Sequence, residues 1–95
     1  LKDIPSLRHE IDGIDDQMAS LFLSRMSAVR EIAYLKALSA NDIEDKDREN
    51  DIKARIRASL PRELHRYSNE LFDAIFEISR AYQADIISSE NLPEG

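Results

Sequence analysis

Between Leu7 and Lys36 the apolar residues Leu7, Ile11, Ile14, Met18, Leu21, Ala28, Val29 and Ile32 recur at helical spacing. That period predicts one long helix, from about residue 5 to residue 39. Such a rod measures at least roughly 45 Å. Its apolar stripe cannot be covered by the remaining residues unless they fold back along it or a second chain does the covering. The economical solution is a homodimer that shares the long helices.

Two cations interrupt the stripe. Arg25 falls where the step from Leu21 to Ala28 asks for aliphatic carbon, and Lys36 ends the pattern. Eleven residues apart, they differ by roughly 20° in azimuth and about 16 Å along the axis, so both side chains can lean toward a small anion between them. Arg8 lies about 25 Å from Arg25 along the same helix and points roughly 100° away. If Arg8 serves the same site, it does so from a second chain.

The rest of the chain continues in helices. Asp3 and Ser6 are candidate N-caps for the first, with Pro5 in its first turn. Gly13 costs that helix about 1 kcal/mol relative to Ala, for no visible reason. After a short connection at Asn41 to Glu44, which Asp42 or Asp45 can cap, a second helix is predicted over 45–59 with Ile52 and Ile56 on its buried side. Leu60-Pro61 breaks the pattern, and a third helix is predicted over 61–87. Its apolar side is Leu64, Leu71, Phe72, Ile75, Ile78, Tyr82 and Ile86. Residues 88–95 read as a tail or the start of a linker. The whole is a single all-α domain of three helices, one of them very long.

Composition narrows the function classes. Of 95 residues 42% are hydrophobic and 34% charged, with two Gly and three Pro, which suits a helical protein and argues against disorder. Cysteine is absent, so a disulfide framework and thiolate metal sites are excluded and a reducing cytoplasm is the expected location. No apolar run approaches twenty residues, which excludes a membrane span. The net charge of −6 disfavours nucleic acid and anionic membrane as partners. The missing initiator Met is expected from processing or from a fragment.

Polar residues standing where the helical pattern predicts core form a set. On the second helix Asp45, Arg48 and Glu49 project from one face near its start, and on the third Ser79 and Gln83 continue the row through Leu71, Phe72 and Ile75. Together with Arg25 and Lys36 they make a cation-rich group with two acids and two neutral hydrogen-bonding side chains. Buried polar groups need partners, so the group reads as a pocket for a multiply anionic small molecule. It holds no His, no Cys and no activated nucleophile. The chemistry it suits is binding, or a reaction driven by orientation and charge stabilisation.

These residues carry a family resemblance. Leu7-Arg8-x-x-Ile11-Asp12-x-Ile14-Asp15, then Arg25-Met26, Ile32-Ala33-x-x-Lys36, Asp45-x-x-Arg48-Glu49 and Ser79-x-x-x-Gln83 together resemble the all-helical class of chorismate mutase over residues 5 to 86. The resemblance implies an intertwined homodimer with two equivalent sites and the Claisen rearrangement of chorismate to prephenate, in phenylalanine and tyrosine biosynthesis, without a cofactor. It implies that Arg8 of one chain and Arg25 of the other bind the substrate carboxylates, assisted by Ser79. Lys36 and Gln83 are implied to hydrogen-bond the ether oxygen. Glu49 and the backbone around Asp45 take the ring hydroxyl, and Arg48 adds positive potential.

Taken singly, the same residues have plainer readings. Arg25, Lys36 and Arg48 are each snorkelling or ion-paired helix residues, Asp45 an N-cap, and Ser79 a side chain bonded back to its own helix. His9 with Asp12 and Asp16 reads as solvated surface rather than a metal face, and His65 stands alone. Tyr34, Phe72, Phe76 and Tyr82 read as packing. Two other functions compete with the mutase. One is a regulatory or sensor domain, without turnover, of a fused or associated shikimate-pathway enzyme, which the Leu92-Pro93-Glu94-Gly95 end allows. The other is an isochorismate pyruvate lyase, which the acids Asp45 and Glu49 disfavour.

Overall fold

The computed structural model describes residues 1–39 and 44–89. Among these there are three α-helices and no strand: α1 (Ile4–Ser39), α2 (Lys46–Ala58) and α3 (His65–Ser88), with a 3-10 turn at Arg62–Leu64 before α3. The connection at 41–43, with the alternative cap Asp42, and residues 90–95 of the tail lie outside the described residues. No described helix is long and apolar enough to cross a membrane.

Local chemistry sets each boundary. Asp3, not Ser6, caps α1: its Oδ1 accepts the Ser6 N–H at 2.9 Å and its carbonyl accepts the Leu7 N–H at 3.1 Å. Hydrogen bonds from Ser6, side chain first and then backbone, hold the Asp3 carboxyl below its usual range. Asp45 caps α2 in the same way, its side chain accepting the Arg48 N–H at 3.0 Å. Acids in the first turn of α2, Asp47 and Glu49, and bases in its last, Arg55 and Arg57, complement the helix dipole.

The third segment is not one helix from Pro61. Pro61 is extended at φ −56° and ψ 146°, and the Leu64 N–H donates to its carbonyl at 3.0 Å, so the chain re-enters through a single 3-10 turn. His65 braces that turn, its Nε2–H donating to the Leu60 carbonyl at 2.9 Å.

Pairing between helices is regular. Arg25 meets Ser79 and Phe76, while Arg30, further along α1, bonds Tyr34 and lies near Tyr82, so α1 and α3 run in the same sense. α2 returns antiparallel to α3 across three polar rungs: Glu49 with Arg80 at 2.6 Å, Lys53 with Asp73 at 2.8 Å and Arg57 with Asn69 at 2.8 Å. On α2 those rungs fall at i, i+4 and i+8, one face of the helix. Ile52 and Ile56 beside them are only half-buried, and α2 has no fully buried residue.

The core is small. Its buried hydrophobic residues among those described are Val29, Ala33, Phe76 and Ile86, joined by the polar Ser68, Ser79 and Gln83. Leu64 in the 3-10 turn and Leu71 and Ile78 on α3, expected in the core, stand exposed. On α1 the whole series Leu7, Ile11, Ile14, Met18 and Leu21 is between 42% and 69% exposed. The chain spans 57 × 26 × 15 Å with a radius of gyration of 16.9 Å, against about 12 Å for a compact domain of this length. Its accessible surface is 7700 Å², whereas a compact monomer of 10.9 kDa exposes about 5,600 Å².

Candidate active site

The second half of α1, the start of α2 and the second half of α3 enclose a cavity of about 250 Å³. Arg25 and Lys36 reach it from α1, Asp45, Arg48 and Glu49 from the start of α2, and Ser79 and Gln83 from α3. Seven of the eight residues singled out in the sequence therefore meet around one space. Arg8 is the exception: it lies on the exposed first half of α1, two dozen ångströms of helix away from Arg25. The apolar parts of the wall come from Val29, Ile32, Ile52 and Phe76.

Capping is what brings the α2 residues in. With Asp45 fixed as N-cap, Arg48 and Glu49 occupy the first turn and face α3. Asp45 thus fills its plainer role and lines the cavity as well.

Arg25 is held from two sides. Its guanidinium donates to the Ser79 hydroxyl and lies 6.0 Å from the centroid of the Phe76 ring. Burial, and secondly the like charge of Arg48, push its pKa below the usual arginine value. Arginine titrates so far above neutrality that the charge is retained. Ser79 donates its own hydroxyl proton back to the Ile75 carbonyl at 2.7 Å, so toward Arg25 it is an acceptor that orients the guanidinium.

Gln83 is 7% exposed, and its Oε1 is buried without a hydrogen-bond partner. Leaving such an atom unsatisfied costs about 1–3 kcal/mol, which marks a position where a bound molecule or water has something to satisfy. A half-turn of the carboxamide presents N–H there instead, and breaks no bond now made to the oxygen.

The sequence pattern missed Arg80. It lines the cavity and donates from Nη1 to Glu49 Oε2 at 2.6 Å; that hydrogen bond, foremost, raises its pKa. Read alone, an arginine beside Ser79 looks solvated. The signal was available in the spacing: Phe76, Ser79, Arg80 and Gln83 are i, i+3, i+4 and i+7, one face of α3.

Charged groups around the cavity number four cations, Arg25, Lys36, Arg48 and Arg80, against the carboxylates Asp45 and Glu49, a formal +2 in a protein of net −6. The site is a local cationic pocket in an acidic protein, suited to a compact dianion. Among the described residues no three His, Asp or Glu side chains gather as a metal site, His9, Asp12 and Asp16 included.

No curated protein and no solved structure matches the chain significantly. The family profile for chorismate mutase type II does match, over residues 7–84, from the first full turn of α1 to just past Gln83. With that span covered, the chain belongs to the chorismate mutase type II family, the all-helical class.

Proposed function

We propose that the cavity binds chorismate and catalyses its rearrangement to prephenate, feeding phenylalanine and tyrosine synthesis. The observation that carries the reading is the convergence of Arg25, Lys36, Asp45, Arg48, Glu49, Ser79 and Gln83, with Arg80, on one space of formal charge +2, the complement of a dicarboxylate. The reaction is unimolecular: the C–O bond of the enolpyruvyl ether breaks as a C–C bond forms across the ring, with no nucleophile and no proton transfer. The protein's task is to hold the extended side chain over the ring and to stabilise negative charge growing on the ether oxygen.

Within this reading Arg25, oriented by Ser79 and Phe76, takes one carboxylate. Lys36 and the Nε2–H of Gln83 donate to the ether oxygen, and each such donor contributes about 3 kcal/mol to transition-state stabilisation. Glu49 and the Asp45 backbone receive the ring hydroxyl, while Arg48, also lining the cavity, raises the potential for the carboxylates.

The working unit is a homodimer in which the partner's Arg8 reaches the second carboxylate. Supporting this are the two uncovered apolar stripes, Leu7 to Leu21 on α1 and Leu64, Leu71 and Ile78 along the 3-10 turn and α3. The excess surface of about 2,100 Å² per chain over a compact monomer is of the size that obligate dimers bury.

The test is to incubate purified protein with chorismate, without added metal or cofactor, and identify the product by NMR. Prephenate as sole product is expected. Chorismate left unchanged by a folded dimer points to a sensor domain, and release of pyruvate from isochorismate points to a lyase.

A further inference from the structure

Three polar rungs join α2 to α3, and one of them differs from the others. Lys53 with Asp73 and Arg57 with Asn69 lie away from the cavity. The Glu49–Arg80 rung forms part of its wall, with side chains only 21% and 28% exposed. On its other side is a smaller polar pocket of about 230 Å³, to which Lys46 and Lys53 contribute. The pair therefore stands as a partition between two spaces. Glu49 has cations on both sides of it: Arg48 at the cavity, Lys46 and Lys53 in the outer pocket, with Lys53 one turn along the same helix.

A flexible carboxylate in that position can swing either way. Arg80 decides which way it faces, because a charge-assisted bond at 2.6 Å between partly buried groups fixes Glu49 Oε2, and the carboxylate's second oxygen keeps its capacity to accept. Arg80 also offsets the Glu49 charge; without it the wall falls from a formal +2 to +1, less suited to a dianion.

We propose that Arg80 is a positioning residue that sets substrate specificity: it holds Glu49 as the acceptor for a hydroxyl on the substrate ring and keeps that acceptor from repelling the substrate's carboxylates. This rests on the chorismate reading above. Arg80 acts through Glu49 and does not itself touch the reacting atoms.

The experiment compares kcat and KM of wild type, Arg80→Met, Arg80→Lys and Lys53→Met on chorismate and on its analogue lacking the ring hydroxyl, with dimer state and melting temperature measured alongside. For Arg80→Met on chorismate, KM rises about tenfold while kcat falls less than about threefold, as expected when binding common to ground and transition states is lost. Arg80→Lys recovers part of that loss. With the analogue the penalty for Arg80→Met shrinks to about twofold, the residue of lost charge alone. Lys53→Met removes the neighbouring rung and leaves both kinetic constants near wild type.

An equal loss on both substrates overturns the proposal in favour of direct contact between Arg80 and the carboxylates. Unchanged kinetics in Arg80→Met, or an equal loss in Lys53→Met, reduces the pair to a structural rung. A wild-type protein that leaves chorismate unchanged is a different failure: it overturns the mutase reading itself.

Discussion

The two halves of α1 have the same apolar period and opposite fates. From Arg25 onward the helix lies against α3: Val29 is 7% exposed, Ala33 is fully buried, and the interrupting cations line a cavity. Before Ser24 the stripe from Leu7 to Leu21 stands exposed. Helix lengths explain part of the difference, since 36 residues of α1 outreach the 24 of α3 by roughly 18 Å. Hydrophobic period specifies which face needs burial; it does not specify whose atoms bury it.

If the first half of α1 belongs to a partner's site, the largest effect comes from Arg8. Arg8→Ala, on an exposed part of the single chain, is expected to lower kcat/KM by about 10²–10³, as much as Arg25→Ala does inside the cavity. Steady-state kinetics on the two variants make the comparison, and a near-normal Arg8→Ala enzyme would separate the halves completely.

Next in size is Ile14→Asp. On a solvated face it changes stability by less than about 0.5 kcal/mol. In an interface it opposes association by about 3 kcal/mol or more, and sedimentation is expected to find monomers without activity.

Gln83→Glu sharpens the other side of the comparison, where the second half of α1 supplies Lys36 to the same cavity. Ionised, the new carboxylate faces the developing negative charge; protonated, it donates as the amide does. Activity is therefore expected at pH 5 and to fall by more than about tenfold by pH 8, and equal rates at the two pH values remove Gln83 from its assigned role.

The smallest effect is at Gly13. A Cβ built there meets nothing within 4 Å, and the residue lies about 120° around α1 from the centre of the apolar stripe. It is exposed in the single chain. Gly13→Ala is expected to stabilise by about 0.5–1 kcal/mol, read as a rise in Tm, with activity unchanged. Destabilisation would mean that another backbone passes close to that face.

What could be read from the residues follows the same division. Arg25, Lys36, Ser79 and Gln83 were legible because each puts a polar group on an apolar row. Asp45, Arg48 and Glu49 were legible as one face of a helix start. Arg80 shares the face of Phe76, Ser79 and Gln83, but its role was not legible, because its partner Glu49 lies 31 positions away and only the fold brings them together. Leu64, Leu71 and Ile78 read as core because apolar spacing is the same for a residue buried in its own chain and one left exposed by it. The 3-10 turn was hidden for a more local reason: Pro61 signals a break, and nothing in Arg62 to Leu64 distinguishes one tight turn from the first turn of an α-helix.

The most direct test mixes two inactive proteins. Arg8→Ala and Arg25→Ala chains, combined in equal amounts and allowed to exchange subunits, form heterodimers in which one of two sites has both arginines. Random exchange makes half the dimers mixed, so about a quarter of wild-type activity is expected. No recovery, with heterodimers demonstrated by native mass spectrometry, would contradict the account and return the first half of α1 to its own chain.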